Sequence, residues 1–112
     1  MAFIVILTTT SSKNEAIKIV RHLLNEKLIA CANIIASVRS LFWWQGSVED
    51  VEETLVFMKT RSELFKEISE HITELHSYKT PEIIALPITY GSKPYLKWIS
   101  SVVKSSEGFG IG

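Results

Sequence analysis

The chain has 112 residues, 46% hydrophobic and 21% charged, which is enough to bury one core, too few for two, and too apolar for extensive disorder. Its 12 basic and 12 acidic residues cancel to a formal net charge of zero, removing the electrostatic argument for nucleic acid or an anionic membrane as partner. The single cysteine, Cys31, cannot form an internal disulfide, so no oxidising compartment is required and the cytoplasm is the expected location.

Ala2 to Thr10 read as a first strand, β-branched and apolar on both faces, as a central strand covered on two sides would be. The run lacks a basic leader and stops at three threonines, so it is expected to be a strand and not a signal peptide or membrane span. Ser12 and Glu15 have the spacing of a capping box and open a first helix, expected to run to about Leu28, with Ala16, Ile19, Val20, Leu23 and Leu24 on its apolar face.

From Ala30 to Thr60 two apolar runs flank Trp44-Gln45-Gly46-Ser47 and read as a long β-hairpin. The first arm, Cys31 to Trp44, is about twice the usual strand length, so it must outreach its own sheet. The overhang ends in Leu41, Phe42, Trp43 and Trp44. Four large apolar residues at an exposed tip are seldom tolerated by a monomer. Consecutive strand residues point to opposite faces, and one domain covers only one face easily, so burial between subunits is expected over folding back on the chain's own core. In the second arm Thr54, Val56 and Met58 share one face and Leu55 and Phe57 the other.

Thr60 and Glu63 repeat the capping-box spacing and predict a second helix, with Leu64, Phe65, Ile68, Ile72 and Leu75 as its buried stripe. His76-Ser77-Tyr78-Lys79-Thr80-Pro81 ends it. A fourth strand follows over Ile83 to Tyr90, with Pro87 placing it at a sheet edge. Ser92 caps a third helix with Pro94 in its first turn, and Tyr95, Trp98, Ile99, Val102 and Val103 are expected on its inner side. One domain over 1–104 is expected, followed by a tail, 105–112, that frays.

The order strand, helix, strand, strand, helix, strand, plus a C-terminal helix, is that of an α+β ferredoxin-like sandwich, βαββαβ with one added helix. Both main helices then cover one face of the sheet. The other face is bare yet apolar, and is expected to be buried between subunits.

No glycine-rich phosphate loop, His-Glu-x-x-His, paired-cysteine motif or nucleophile elbow is present in the sequence, so a non-enzymatic protein is expected. Cys31 at the start of the hairpin is more often a small buried hydrophobe than a ligand. His76 stands in a helix-ending loop beside Tyr78 and Glu82, where polar groups can converge on a transition metal. On the same residues, His76 capping helix carbonyls and Glu82 pairing with Lys79 is an equal reading. His22 and His71 receive no role. Trp43, Trp44 and Trp98 suit packing better than a cofactor box. Alternate carboxylates of Glu49, Asp50, Glu52 and Glu53 point opposite ways on a strand, so the four cannot wrap one ion.

Five blocks, taken together, carry a resemblance: Ala30-Cys31-Ala32-Asn33-Ile34-Ile35; Trp43-Trp44-Gln45-Gly46; Glu53 with Lys59-Thr60; His76-x-Tyr78-x-Thr80-Pro81-Glu82-Ile83; and Gly91-x-x-x-Tyr95-Leu96-x-Trp98. In this order, and covering the chain to about Val103, they resemble the CutA divalent-cation-tolerance family. The resemblance implies a ferredoxin-like subunit, a homotrimer similar in architecture to the PII signalling proteins, and a role in tolerance to copper and other divalent metals. It implies metal binding through cysteine and histidine, which points here to Cys31 and His76; from the residues themselves, a site at His76 is expected to be completed by Glu82 or Cys31, across or within a subunit. Copper is the expected ion because it heads the divalent affinity order. The sequence departs from the family at Ser77, where a proline is usual, and in the threonines that end the first strand, where some relatives have a cysteine. The rival reading is a PII-like sensor in which clefts between subunits, lined by Glu53, Lys59, Tyr78, Glu82 and Trp98, hold a small anionic metabolite. A purely structural interaction module, and an enzyme using Glu53 or His76 as acid or base, are the remaining classes.

Overall fold

Alternation along β1 (Phe3–Thr10) sorts its side chains between two environments: Ile4, Ile6 and Thr8 are buried, while Phe3, Val5 and Leu7 are half-buried. The computed structural model describes residues 2–105, so the tail expected to fray lies outside the described residues after Ser105. After β1 come α1 (Lys13–Asn25), β2 (Cys31–Trp44), β3 (Ser47–Arg61), a 3-10 turn (Ser62–Leu64), α2 (Phe65–Leu75), β4 (Ile84–Pro87) and α3 (Lys93–Val102). The four strands form one antiparallel sheet in the order β2-β3-β1-β4. This is the ferredoxin-like order, with β4 and its Pro87 at an edge as the sequence requires.

The buried faces of α1 (Ala16, Ile19, Val20, Leu23) and α2 (Ile68, Ile72) join one core with Ile4, Ile6, Val56 and Met58 of the sheet. Directly paired residues of antiparallel strands share a face. The register therefore puts Val5, Leu7, Leu55, Phe57, Ile35, Ile84 and Leu86 together on the opposite face. Ile35, Ile84 and Leu86 are exposed there within the chain.

The first arm of the hairpin has the bounds expected of it, Cys31–Trp44. β2 has 14 residues and β3 has 15, while β1 pairs with β3 only from Thr54 to Arg61. Beyond Thr54 the arms have no neighbour but each other, and at about 3.3 Å per residue the ribbon projects about 20 Å. Such a ribbon is marginal alone. Across it the Arg39 Nε and Nη2 donate to both oxygens of Asp50 at 2.9 and 2.6 Å, which holds the Asp50 carboxyl below its ordinary value. At the tip Gln45 and Gly46 have φ of 49° and 85°. Both being positive makes a turn whose twist matches the strands, and glycine enters that region without a Cβ penalty. Leu41, Phe42, Trp43 and Trp44 are 60%, 40%, 75% and 50% exposed, so the tip does not fold back on the core.

One feature of the hairpin was not visible in the sequence. Ile35 pairs with Leu55 and Val38 with Glu53, so two residues of β2, Ala36 and Ser37, oppose the single Thr54, and Ser37 takes φ 69°. This β-bulge exchanges the faces. Before it Cys31, Asn33 and Ile35 share the open face; after it Val38, Ser40, Phe42 and Trp44 do.

Three boundaries differ from expectation. α1 stops at Asn25, where the Glu26 N–H closes onto the His22 carbonyl and Lys27 takes φ 58°. Thr60 is not a cap: it stays in β3, and its hydroxyl, fully buried, donates to the Leu28 carbonyl at 2.6 Å. The second helix instead begins through the 3-10 turn, with no side-chain cap. β4 is four residues long because only Ile84–Pro87 pair with β1. α3 is capped by Ser92 as expected, its hydroxyl accepting from the Tyr95 N–H at 3.4 Å. Only Ile99 and Val103 of its expected inner face are fully buried, and Tyr95 and Trp98 remain exposed, their rings 5.5 Å apart.

Candidate functional site

Where β1 ends, α1 begins and the segment after α2 returns, the chain builds a polar junction around Glu15. Ser12 caps α1 by accepting from the Glu15 N–H at 3.1 Å. The Glu15 carboxylate completes the start of the helix one residue earlier than a capping box would, accepting from the Ser11 N–H at 3.2 Å and its hydroxyl at 3.0 Å. Its other oxygen accepts from the Ser77 N–H at 2.7 Å. Burial alone would raise this carboxyl; the hydrogen bonds from Ser77 and Ser11 outweigh it and hold the group below its ordinary value.

His76 ends α2, its N–H donating to the Ile72 carbonyl. Its ring is fully buried. Nε2 lies 2.7 Å from the Thr9 carbonyl, and Nδ1 lies 3.0 Å from the Tyr78 N–H. A carbonyl only accepts and an amide N–H only donates, so Nε2 carries the proton and Nδ1 offers the lone pair. Both nitrogens are thus spent on holding the 76–78 turn against β1. Tyr78 stacks obliquely on the imidazole at 4.8 Å and donates its hydroxyl to Glu53 Oε2 at 2.7 Å. Burial, then the Glu53 hydrogen bond and charge, push the phenol up to about 12. Glu53 itself is only 6% exposed.

These contacts bring the 78–82 segment over the open face, where it and the root of the hairpin enclose a cleft of about 1060 Å³. Thr9, Ser40, Phe42, Trp44, Val51 and Tyr78 line it together with four carboxylates, Glu49, Glu52, Glu53 and Glu82, and one lysine, Lys79. The bulge is what turns Ser40, Phe42 and Trp44 toward this side.

The residues expected to act together are distributed as follows. Glu53, Tyr78 and Glu82 share the cleft, with Leu41, Phe42 and Trp44 at its hairpin wall. Lys59 and Trp98 do not line it: Lys59, opposite Cys31 on the β2–β3 ladder, donates its Nζ to Asn33 Oδ1, and Trp98 lies on α3 beside Tyr95. Cys31 is half-buried at the far end of the sheet, its Sγ 3.4 Å from the Tyr95 hydroxyl. It pairs with Lys59, four register positions along β3 from the Leu55 that opposes Thr9. Cys31, His76 and Glu82 are therefore not gathered within the chain, and among the described residues no group of three or more His, Cys, Asp or Glu could hold a metal ion. A metal at His76 would strand the Thr9 carbonyl or the Tyr78 N–H, so this ring does not fit one. Sequence reasoning missed the bulge and the bridging role of Glu15, for which the adjacent Ser11, Ser12 and Glu15 were the available signal.

Fold and site together define a ferredoxin-like α+β subunit with an overhanging hairpin and an acidic cleft at its root. The model of the family described as CutA1 divalent ion tolerance protein matches residues 4–102, and the chain belongs to that family. It is 43% identical over 99 residues to the divalent-cation tolerance protein CutA of Archaeoglobus fulgidus, covering 88% of this chain and 96% of that one. The solved structure of the A. fulgidus protein, described as periplasmic, superposes with a TM-score of 0.89 at 42% identity, covering 91% of this chain and 99% of that one. The crystal structure of CutA1 from Oryza sativa gives a TM-score of 0.92 at 36% identity over 95% of this chain and 97% of that one. The chain spans only 58% of the full chloroplastic CutA 1 of rice, to which it is 37% identical over 103 residues, 92% of its own length. Among the described residues no helix is long and apolar enough to cross a membrane.

Proposed function

We propose that the protein is a non-enzymatic, cytoplasmic homotrimer that binds divalent metal ions, copper foremost, and contributes to tolerance of heavy metals. The observation that carries the choice of site is the charge of the cleft: four carboxylates against one lysine. Such a lining favours a cation by Coulombic attraction and disfavours an anion. Glu82, Glu49 and Glu53 are taken to draw the ion into the cleft by their charge, without a preformed three-ligand cage among the described residues, in place of the Cys31, His76 and Glu82 set, because both nitrogens of His76 already have protein partners. Copper is preferred by the general affinity order and not by a tailored cage. Membership of a divalent ion tolerance family supports the reading.

Trimerisation is supported by the exposed apolar groups on the open face and at the hairpin tip, which exceed what a monomer comfortably leaves in water. The rival, a small anionic metabolite held between subunits, draws on the cleft's volume and aromatic wall, within the range of small-molecule sites, but not on its charge. Titration calorimetry with Cu²⁺ on the wild type and on a Glu49→Gln/Glu82→Gln variant tests the metal reading. Binding weakened at least about tenfold in the variant is expected; equal binding, or displacement of copper-independent organic anions from protein purified from its host, overturns it. Sedimentation equilibrium tests the trimer, and a folded monomer at micromolar concentration would sink it.

A further inference from the structure

His22 and His71 face one another from α1 and α2, on the helix layer, away from the cleft. His22 Nε2 lies 2.7 Å from His71 Nδ1, and the rings are 5.0 Å apart at centroids and inclined by 37°. Two imidazole nitrogens at that distance share one proton: one ring donates and the other accepts. On the far side of the His71 ring, Nε2 lies 3.9 Å from Glu67 Oε2, an oxygen that also accepts from Lys104 Nζ at 2.7 Å. A proton on Nε2 faces that carboxylate, which leaves Nδ1 with the lone pair directed at His22. This is how an imidazole ligand is ordinarily presented, with one nitrogen free for an ion and the other N–H turned toward a carboxylate.

We propose that His22 Nε2 and His71 Nδ1 form a two-imidazole site for a first-row divalent ion, Cu²⁺ ahead of Zn²⁺ and Ni²⁺, with water filling the remaining positions. Metal–nitrogen bonds of about 2.0–2.1 Å place two cis nitrogens about 2.9 Å apart at the right angle of tetragonal Cu²⁺ and about 3.3 Å apart at the tetrahedral angle of Zn²⁺. The pair must then open by roughly 0.2 Å for Cu²⁺ and roughly 0.6 Å for Zn²⁺, within reach of small side-chain rotations because both rings are only partly buried; the His71 side chain is 27% exposed. The ion takes the place of the shared proton, and His22 then carries its one proton on Nδ1, as the other neutral tautomer. Imidazole suits these ions better than a carboxylate set does. The site goes beyond the cleft reading and uses none of its residues.

Pulsed electron paramagnetic resonance of the full chain titrated with Cu²⁺ alone separates the two sites, because only imidazole coordination gives modulation from the ring's remote nitrogen. The wild type is expected to show coordination by two imidazoles at the first equivalent. His22→Gln and His71→Gln should each remove it and weaken this copper at least tenfold, whereas His76→Gln and Glu49→Gln/Glu82→Gln should leave it in place. Absence of imidazole modulation in the wild type overturns the proposal without reference to any variant, as does its persistence in the His22→Gln/His71→Gln double variant. Oxygen-only copper in the wild type would retain the cleft reading while rejecting this one.

Discussion

Removing one oxygen tests the junction that closes the cleft. In Tyr78→Phe the ring still stacks on His76, while Glu53 Oε2 loses the donor now at 2.7 Å. Glu53 is buried, so water replaces that donor poorly, and hydrogen bonds to charged groups are worth about 1.5–3 kcal/mol. The pH dependence gives a second measure. The phenol, pushed up to about 12 from an ordinary 10, keeps its proton in the folded chain at pH values where the unfolded chain releases it. Its contribution is therefore complete below about pH 10 and is lost as pH rises from about 10 through about 12. Urea unfolding at fixed protomer concentration should thus find Tyr78→Phe less stable by about 1.5–3 kcal/mol near pH 8, with the gap closing toward pH 12. A gap under about 0.5 kcal/mol near pH 8, or one that is unchanged in alkali, would refute the reasoning.

Glu15→Gln should destabilise by about 1–3 kcal/mol at neutral pH. Because the Glu15 carboxyl is held below 4.5 in the folded chain, its contribution is present above that value and fades as pH falls through the folded one, so acid unfolding curves of wild type and variant should converge at low pH. Thr60→Val keeps the shape but strands the Leu28 carbonyl, and thermal or chemical unfolding should register about 1–3 kcal/mol; no change would mean the carbonyl finds another donor. Trp44 is half exposed within one chain, so Trp44→Ala should cost little in a monomer but about 3–5 kcal/mol where subunits bury the indole, and unfolding midpoints at two protomer concentrations distinguish the cases.

Periodicity made the strands, the helices and their order readable, because the helix face and the open face of the sheet each draw on a fixed alternation. Ser92 and Ser12 announced their helices, and Pro87 its edge. Thr60 misled because a capping-box spacing says nothing of whether the hydroxyl is already engaged, and here the Leu28 carbonyl, 32 residues away in sequence, claims it. His76 misled for the same reason: ligand chemistry is a property of the free nitrogen, and both are taken by backbone groups, one of them on a distant strand. His22 and His71 were passed over because residues 49 apart meet only once two helices pack. Of the residues expected around a cleft between subunits, Glu53, Tyr78 and Glu82 line the cleft within the chain, while Lys59 stands on the β2–β3 ladder and Trp98 on α3, outside it.

The bulge at Ala36–Ser37 gives the hairpin a reading frame. A strand's side chains are read in twos, and one supernumerary residue shifts every later letter to the other face. Deleting Ser37 would leave an unbroken ladder in which Ala36 opposes Thr54 and Val38 still opposes Glu53, so Ser40, Phe42 and Trp44 would stay on the cleft side; were Ser37 kept but paired with Glu53 without a bulge, Arg39, Leu41 and Trp43 would come round in their place. The arms can be lengthened or shortened at the tip by one residue each, since such paired edits leave the frame intact below them. A lone insertion or deletion elsewhere in one arm, with no bulge to absorb it, translates into a different surface along the whole projecting ribbon.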